Sequence, residues 1–167
     1  GAVKNSDGSV TFCLAAPEKK NVMIVPSWDN YELLMSNVMN RCDYQGNSYF
    51  WITVNGLDNT TYYPYYYLVD GSIKVGDPYA RLVLDPYSDC PPYPYDKFDD
   101  IVLAVYRGDM DDYDWKVKSF SIPEHKDLII YELLLRDFTG TEGQADGSGT
   151  LALAMEKLEY LRDLGVN

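Results

Sequence analysis

The 167-residue sequence has a single histidine, His125, and three cysteines, Cys13, Cys42 and Cys90, which lie far apart and form no C-x-x-C pair. A structural zinc site draws its four ligands from closely spaced Cys and His, so none is expected here, and no other cofactor signature is present. Apolar runs of the roughly 20 residues needed to span a bilayer are also missing. Basic residues are scarce: Lys and Arg total 14 against 26 Asp and Glu, for a formal charge of −12. A phosphate backbone or an anionic membrane would be repelled by that charge, which argues against nucleic acid and membrane as partners. Neutral polymers such as polysaccharides are not excluded. The opening Gly1-Ala2-Val3-Lys4-Asn5 has neither the basic nor the apolar region of a signal peptide. The compartment is left open; a signal upstream would place the protein outside the cytoplasm.

What is present is 46% hydrophobic residues and 14% aromatic residues, enough for one good core and part of a second. Val10, Phe12 and Leu14 alternate with Thr11, Cys13 and Ala15, the period of a half-buried strand, and Pro17 ends it. Val22 to Val25 is an apolar run ended by Pro26. Tyr49 to Val54 is aromatic and β-branched and stops at Asn55-Gly56. Tyr62 to Val69 meets Ile73 to Val75 across Asp70-Gly71, a dipeptide that tolerates positive φ and suits a tight hairpin. Short strands spaced this way, with no helical pattern between them, predict an all-β immunoglobulin-like sandwich over 1–86.

Prolines and tyrosines then crowd into Asp85 to Tyr95, where proline's missing amide donor prevents a regular ladder. The stretch 87–126 reads as a connector with one strand, Ile101 to Tyr106. From Asp127 the pattern changes again. Leu128 to Leu135 is apolar nearly throughout, as expected of a parallel strand covered on both faces. A Gly, Asp and Ser loop follows, and Leu151, Ala154, Met155, Leu158, Leu161 and Leu164 recur at helical spacing, with Thr150 as N-cap and Gly165 as stop. Residues 127–167 therefore read as the first βα unit of a (β/α)8 barrel, truncated because a full barrel needs about 250 residues.

Taken in order, Phe12-Cys13-Leu14-Ala15-Ala16-Pro17, Asn21 to Tyr31, Phe50 to Leu57, and Tyr65 to Gly71 with Asp77-Pro78-Tyr79-Ala80 resemble the early-set module of carbohydrate-binding module family 48. Downstream, Asp127 to Thr139 resembles the first barrel strand, and Lys157 to Asn167 the first barrel helix, of branching enzymes and pullulanases in glycoside hydrolase family 13, the α-amylase superfamily. The resemblance implies the front of an enzyme acting on α-1,4 and α-1,6 glucans (starch, glycogen, pullulan) by a retaining mechanism with two carboxyl groups. The family's acids follow barrel strands four, five and seven, so the catalytic residues are expected beyond Asn167 and the chain alone is expected to be inactive. The implied partners are the α-glucan and either the rest of the barrel or a second copy docking on 127–167. A non-catalytic glycan- or protein-binding module is the alternative.

Glu132 and Asp137 match no catalytic position of that family and read as structural or ion-paired. For the sandwich, a pyranose offers C–H faces that stack on aromatic rings, and the resemblance points to Tyr31, with Trp28 nearby, as the candidate substrate contacts. Tyr31 stands where glycogen-binding relatives carry a stacking tryptophan. A second such tryptophan is replaced by Ile73-Lys74-Val75-Gly76, and the expected lysine by Tyr66. Tyr62, Tyr63, Tyr65, Tyr66 and Tyr67 either form a stacking platform or pack across strands. Asp109, Asp111, Asp112 and Asp114 lack the EF-hand spacing and read as a solvated acidic loop.

Overall fold

A computed structural model describes residues 1–87, 91–99, 101–110, 114–140 and 149–167. They form two compact units, Gly1–Asp112 and Tyr113–Asn167. Cys90, Asp111, Asp112 and most of the Gly-rich loop before Gly149 lie outside the described residues.

Among the described residues the first unit holds nine strands: β1 (Ala2–Lys4), β2 (Val10–Ala15), β3 (Val22–Pro26), β4 (Asn40–Tyr44), β5 (Asn47–Val54), β6 (Tyr63–Val69), β7 (Ile73–Val75), β8 (Leu82–Leu84) and β9 (Leu103–Tyr106). One sheet runs β1-β2-β5-β4 and the other β3-β6-β9-β8, with β7 also paired to β6; every pairing is antiparallel. The alternation in the sequence sets which side chains meet between the sheets. Val10, Phe12 and Leu14 of β2 and Phe50 of β5 pack against Val22, Ile24, Tyr65, Tyr67 and Val69 from the second sheet. Each such aliphatic or aromatic residue contributes about 1.5–3 kcal/mol by leaving water.

Asp70 and Gly71 both take left-handed backbone, φ 48° and 73°, and the Ser72 amide closes the turn on the Val69 carbonyl at 3.2 Å. The Asp70 carboxylate also accepts the amides of Lys20 and Asn21 at 2.8 and 3.1 Å, tying the approach to β3 onto this hairpin. Gln45 and Gly46, φ 49° and 79°, make the equivalent turn between β4 and β5.

The strand expected inside the connector is an inner strand of the second sheet: β9 pairs β6 on one side and β8 on the other. The first unit accordingly extends past residue 86. Val25, Tyr66, Leu68, Leu103 and Val105 turn away from the first sheet, and the connector residues Tyr93, Phe98 and Ile101 cover them in a second core. The Tyr93 hydroxyl donates to the Ile101 carbonyl at 2.8 Å, closing that cover on itself.

In the second unit, α1 (Leu135–Thr139), α2 (Leu151–Met155) and α3 (Leu158–Asp163) are short. Two expectations are corrected. Residues 128–134 join no ladder among the described residues, and Leu135 begins a helix instead of ending a strand. A parallel strand forms only against a neighbour, and here the chain end makes only an incipient pairing, where Asn167 donates from Nδ2 to the Asp127 carbonyl at 3.0 Å and accepts the Ile129 amide at 2.9 Å. The helix expected from Leu151 to Leu164 is interrupted at Glu156-Lys157. Its signals hold: Thr150 Oγ1 accepts the Leu153 amide at 3.2 Å, and Gly165 stops α3 at φ 88°. No helix among the described residues is long and apolar enough to cross a membrane.

Candidate functional site

Trp28 and Tyr31 sit on the turn that follows β3. A single 3-10 turn, Ser27–Asp29, is closed by the Asn30 amide on the Ser27 carbonyl and the Tyr31 amide on the Pro26 carbonyl, both at 3.0 Å. Asn30 and Tyr31 are consecutive left-handed residues, φ 53° and 60°, an uncommon conformation for a bulky side chain. The chain reverses there, and the two rings part. Trp28 wedges between Phe12 and Tyr63, with centroids 5.6 and 5.8 Å away, at the rim of the core between the sheets. Tyr31 goes to the outer face of the second sheet, edge-on to Phe98 at 4.9 Å.

Phe98 also covers Tyr66, at 5.7 Å. The connector thus lies over the positions to which the resemblance assigned sugar contacts. Lys74, which the sequence reading did not select, completes this cluster, its Nζ 5.9 Å from the Tyr66 ring centre and 5.7 Å from that of Phe98. Its signal was the register: Lys74 pairs Leu68, two residues beyond Tyr66 on the same face. The cation missing from position 66 is supplied by the next strand.

Burial, with the nearby Asp96 carboxylate and Tyr93, pushes the Tyr31 phenol up to about 12. Burial raises Tyr65 and Tyr67 as well, helped by the adjacent Asp77 carboxylate. In the unfolded chain these phenols ionise near 10. Below that pH both states are protonated and the stability is unaffected; above it the unfolded state loses protons first, so stability falls. The melting temperature is therefore expected to be level from pH 7 to about 9.5 and to drop between about 10 and 12. A scan showing no alkaline drop would contradict the burial of these three rings.

The run of five tyrosines is not a platform. Tyr65 and Tyr67 are in the core and donate to Asp77 Oδ2 at 2.8 and 3.0 Å, Tyr63 accepts the Asp58 amide at 2.9 Å, and Tyr62 lies under the Arg107 guanidinium at 4.5 Å. A cleft of about 140 Å³ opens beside Lys4, Tyr79, Arg81 and Arg107, but its cations are engaged: Lys4 with Asn59 Oδ1, Arg81 with the Met110 carbonyl, and Arg107 with both oxygens of Asp109. In the acidic loop, Asp109 is thereby ion-paired and Asp114 bonds Lys118. Among the described residues no three potential metal ligands cluster. Glu132 is exposed, and Asp137 is exposed and 3.5 Å from Arg136.

No protein-family model matches the chain. Among curated proteins it is 35% identical over 114 residues to isoamylase 1, chloroplastic, of Oryza sativa subsp. japonica, a match covering 59% of this chain and 12% of that protein. It is 29% identical over 168 aligned positions to the malto-oligosyltrehalose trehalohydrolase of Saccharolobus solfataricus, covering 98% of this chain and 23% of that protein. Its relatives are isoamylases and a trehalohydrolase. The fold of the whole chain is found within a multi-modular glycogen-degrading pneumococcal virulence factor, SpuA, solved as a product complex, with 26% identity, a TM-score of 0.60 and 18% of that chain covered. The catalytic module of SpuA gives 26% identity and a TM-score of 0.59, with 25% covered. The chain thus spans 12% to 23% of the length of these two curated relatives.

Proposed function

We propose that this chain is the N-terminal portion of an α-amylase-family glycoside hydrolase, or a related transglycosylase, acting on α-1,4 and α-1,6 glucans. The observation that carries the reading is collinearity. One alignment with the trehalohydrolase runs through 98% of the chain, from sandwich into second unit, while using only 23% of that protein. Two unrelated modules would not follow each other in the same order by chance. The second unit supports it locally, since the chain end returns to Asp127 and Ile129 through Asn167, as a second parallel strand beginning beside a first would do.

On this reading 127–167 is the opening βα unit of the barrel, and the chemistry belongs to sequence beyond Asn167. The reaction is a double displacement: one carboxylate attacks the anomeric carbon, and a second carboxyl group protonates the leaving oxygen, then takes a proton from the incoming water or sugar hydroxyl. Such a pair stands about 5–5.5 Å apart in a retaining site. Glu132 and Asp137, solvent-exposed on a segment with no ladder, do not suit that role. The sandwich is the accessory module, and Trp28 and Tyr31 serve it chiefly as packing.

The test compares two polypeptides. The 167-residue chain is expected to release no reducing sugar from starch, glycogen or pullulan above a mock-purified control. The chain carried on through the following barrel sequence is expected to do so. Turnover by the 167 residues alone would sink the reading.

A further inference from the structure

We infer that the outer face of the first sheet, centred on Trp51, is a contact surface for neutral polysaccharide. The inference rests on the α-glucan reading above for the identity of the polymer, and on the sheet register for the site itself.

In the three-strand part of that sheet, Trp51 of β5 stands opposite Cys13 of β2 on one side and Asn40 of β4 on the other. Residues directly paired across an antiparallel ladder share a face, so these three form one row. The row on one side is Thr11 with Thr53, and the row on the other places Tyr49 beside Cys42. Phe50, between the two ring-bearing residues, points the other way and is 1% exposed, whereas Trp51 is 40% exposed. Strand geometry puts Tyr49 and Trp51 about 7 Å apart along β5. Two aromatic residues therefore lie on one face, in line along the strand.

Three features select a sugar over other occupants. The first is chemical: the C–H faces of a pyranose stack on such rings, while its hydroxyls need donors and acceptors at the ring edges. Thr11 and Thr53 hydrogen-bond each other at 2.9 Å, and Thr11 accepts from Asn5 Nδ2 at 3.0 Å, but each hydroxyl has one donor and two acceptor positions, so the pair keeps capacity, and Asn40 donates only a long bond, 3.4 Å, to the Trp51 carbonyl.

The second is charge. The chain has 24% charged residues and a net charge of −12, yet none of the paired positions on this face is charged. The charges of β4 lie on the opposite face, where Arg41 and Asp43 pair with each other at 3.0 Å and Ser48 donates to Asp43 at 2.6 Å. An uncharged hydroxylated polymer meets no repulsion there, unlike an acidic or basic partner.

The third is contrast with the other sheet. On its outer face Tyr66 is buried and Tyr31 half-buried beneath Tyr93, Phe98 and Ile101, with the exposed Lys74 beside Phe98. Of the sandwich's two tryptophans, Trp28 is wedged between rings and Trp51 is presented.

Native gels of the 167-residue chain with and without glycogen test this directly. Glycogen is expected to retard the chain, Trp51→Ala to weaken retardation by at least about tenfold in the glycogen concentration needed, and Trp51→Phe to keep part of it. Tyr31→Ala is expected to behave as the parent. Unchanged backbone amide chemical-shift dispersion and a cooperative thermal transition close to the parent's confirm that the fold is intact, as an outer-face substitution should leave it. No retardation by any polysaccharide, retardation indifferent to Trp51→Ala, or a dimer that Trp51→Ala converts to monomer would each overturn the inference. Trp51-dependent retardation by a soluble β-1,4-glucan and not by glycogen would keep the surface and refute the α-glucan reading instead.

Discussion

Asp77→Ala is expected to lower the stability of the sandwich by about 3–5 kcal/mol, and the melting temperature by some 15–30 °C. Asp77 is buried, and its carboxylate is the shared acceptor for two core hydroxyls, Tyr65 at 2.8 Å and Tyr67 at 3.0 Å. Its other oxygen takes the Tyr79 amide at 2.9 Å, and the Ala80 amide bonds its carbonyl at 3.1 Å, so the same residue holds the Asp-Pro turn. Alanine would strand two buried hydroxyls at about 1–3 kcal/mol each and release the turn besides. Asparagine retains one oxygen acceptor and should cost roughly half as much. The telling variant is the triple change Asp77→Ala, Tyr65→Phe, Tyr67→Phe. An unmade hydrogen bond costs more than a removed pair, so deleting the stranded hydroxyls should restore part of the loss. Thermal unfolding followed in the near ultraviolet reads all three; a loss below 1 kcal/mol for Asp77→Ala would refute this account of the core.

Asp77 also marks what the sequence could convey. Asp77-Pro78-Tyr79-Ala80 stood out in the sequence only through the resemblance to the early-set module. That the Asp77 carboxylate bridges Tyr65 and Tyr67 was not legible, since it depends on β6 and the turn meeting across ten or more residues. The strands legible in advance, β2, β3, β5, β6 and β7, are those whose alternation or turn dipeptide is explicit in a few adjacent residues. Those missed carry weaker signals. β4, Asn40-Arg41-Cys42-Asp43-Tyr44, is exposed at every position, and its turn, Gln45-Gly46, is not a common hairpin pair. β1 and β8 are three residues each.

β9 was seen as a strand yet assigned to a connector, because nothing local announces that a strand after a proline-rich stretch will return between β6 and β8. The candidate site divides the same way. The residue types at Trp28 and Tyr31 were right for a sugar, but two left-handed residues in succession send their rings to different sides of the second sheet. Trp51 needed the register of three strands before its surroundings could be named.

On the proposed reading, the second unit is where joining further barrel sequence should change the chain most. In the 167-residue chain at low concentration, amides 128–134 should exchange at least about a hundredfold faster than those of β5 and β6, whose ladders are paired on both sides. The reason is what this segment lacks. It has no ladder, and Ile130 and Leu134 are 81% and 57% exposed; α2 and α3 expose Leu151, Met155 and Leu158 in turn. Helices of five and six residues have no independent stability, since about 12–15 residues are needed even for favourable sequences. Burying four or five of these side chains at about 1.5–3 kcal/mol each would exceed anything the unit holds now. That burial is available from the rest of a barrel or from a second copy, so exchange across 128–134 should slow when the following barrel sequence is joined or added, and to a lesser degree as chain concentration rises. The sandwich amides should not respond to either. A monomeric 167-residue chain with slow exchange across 128–134 would mean that the segment already has its partner, and the reading of 127–167 as the opening of a larger barrel would fall.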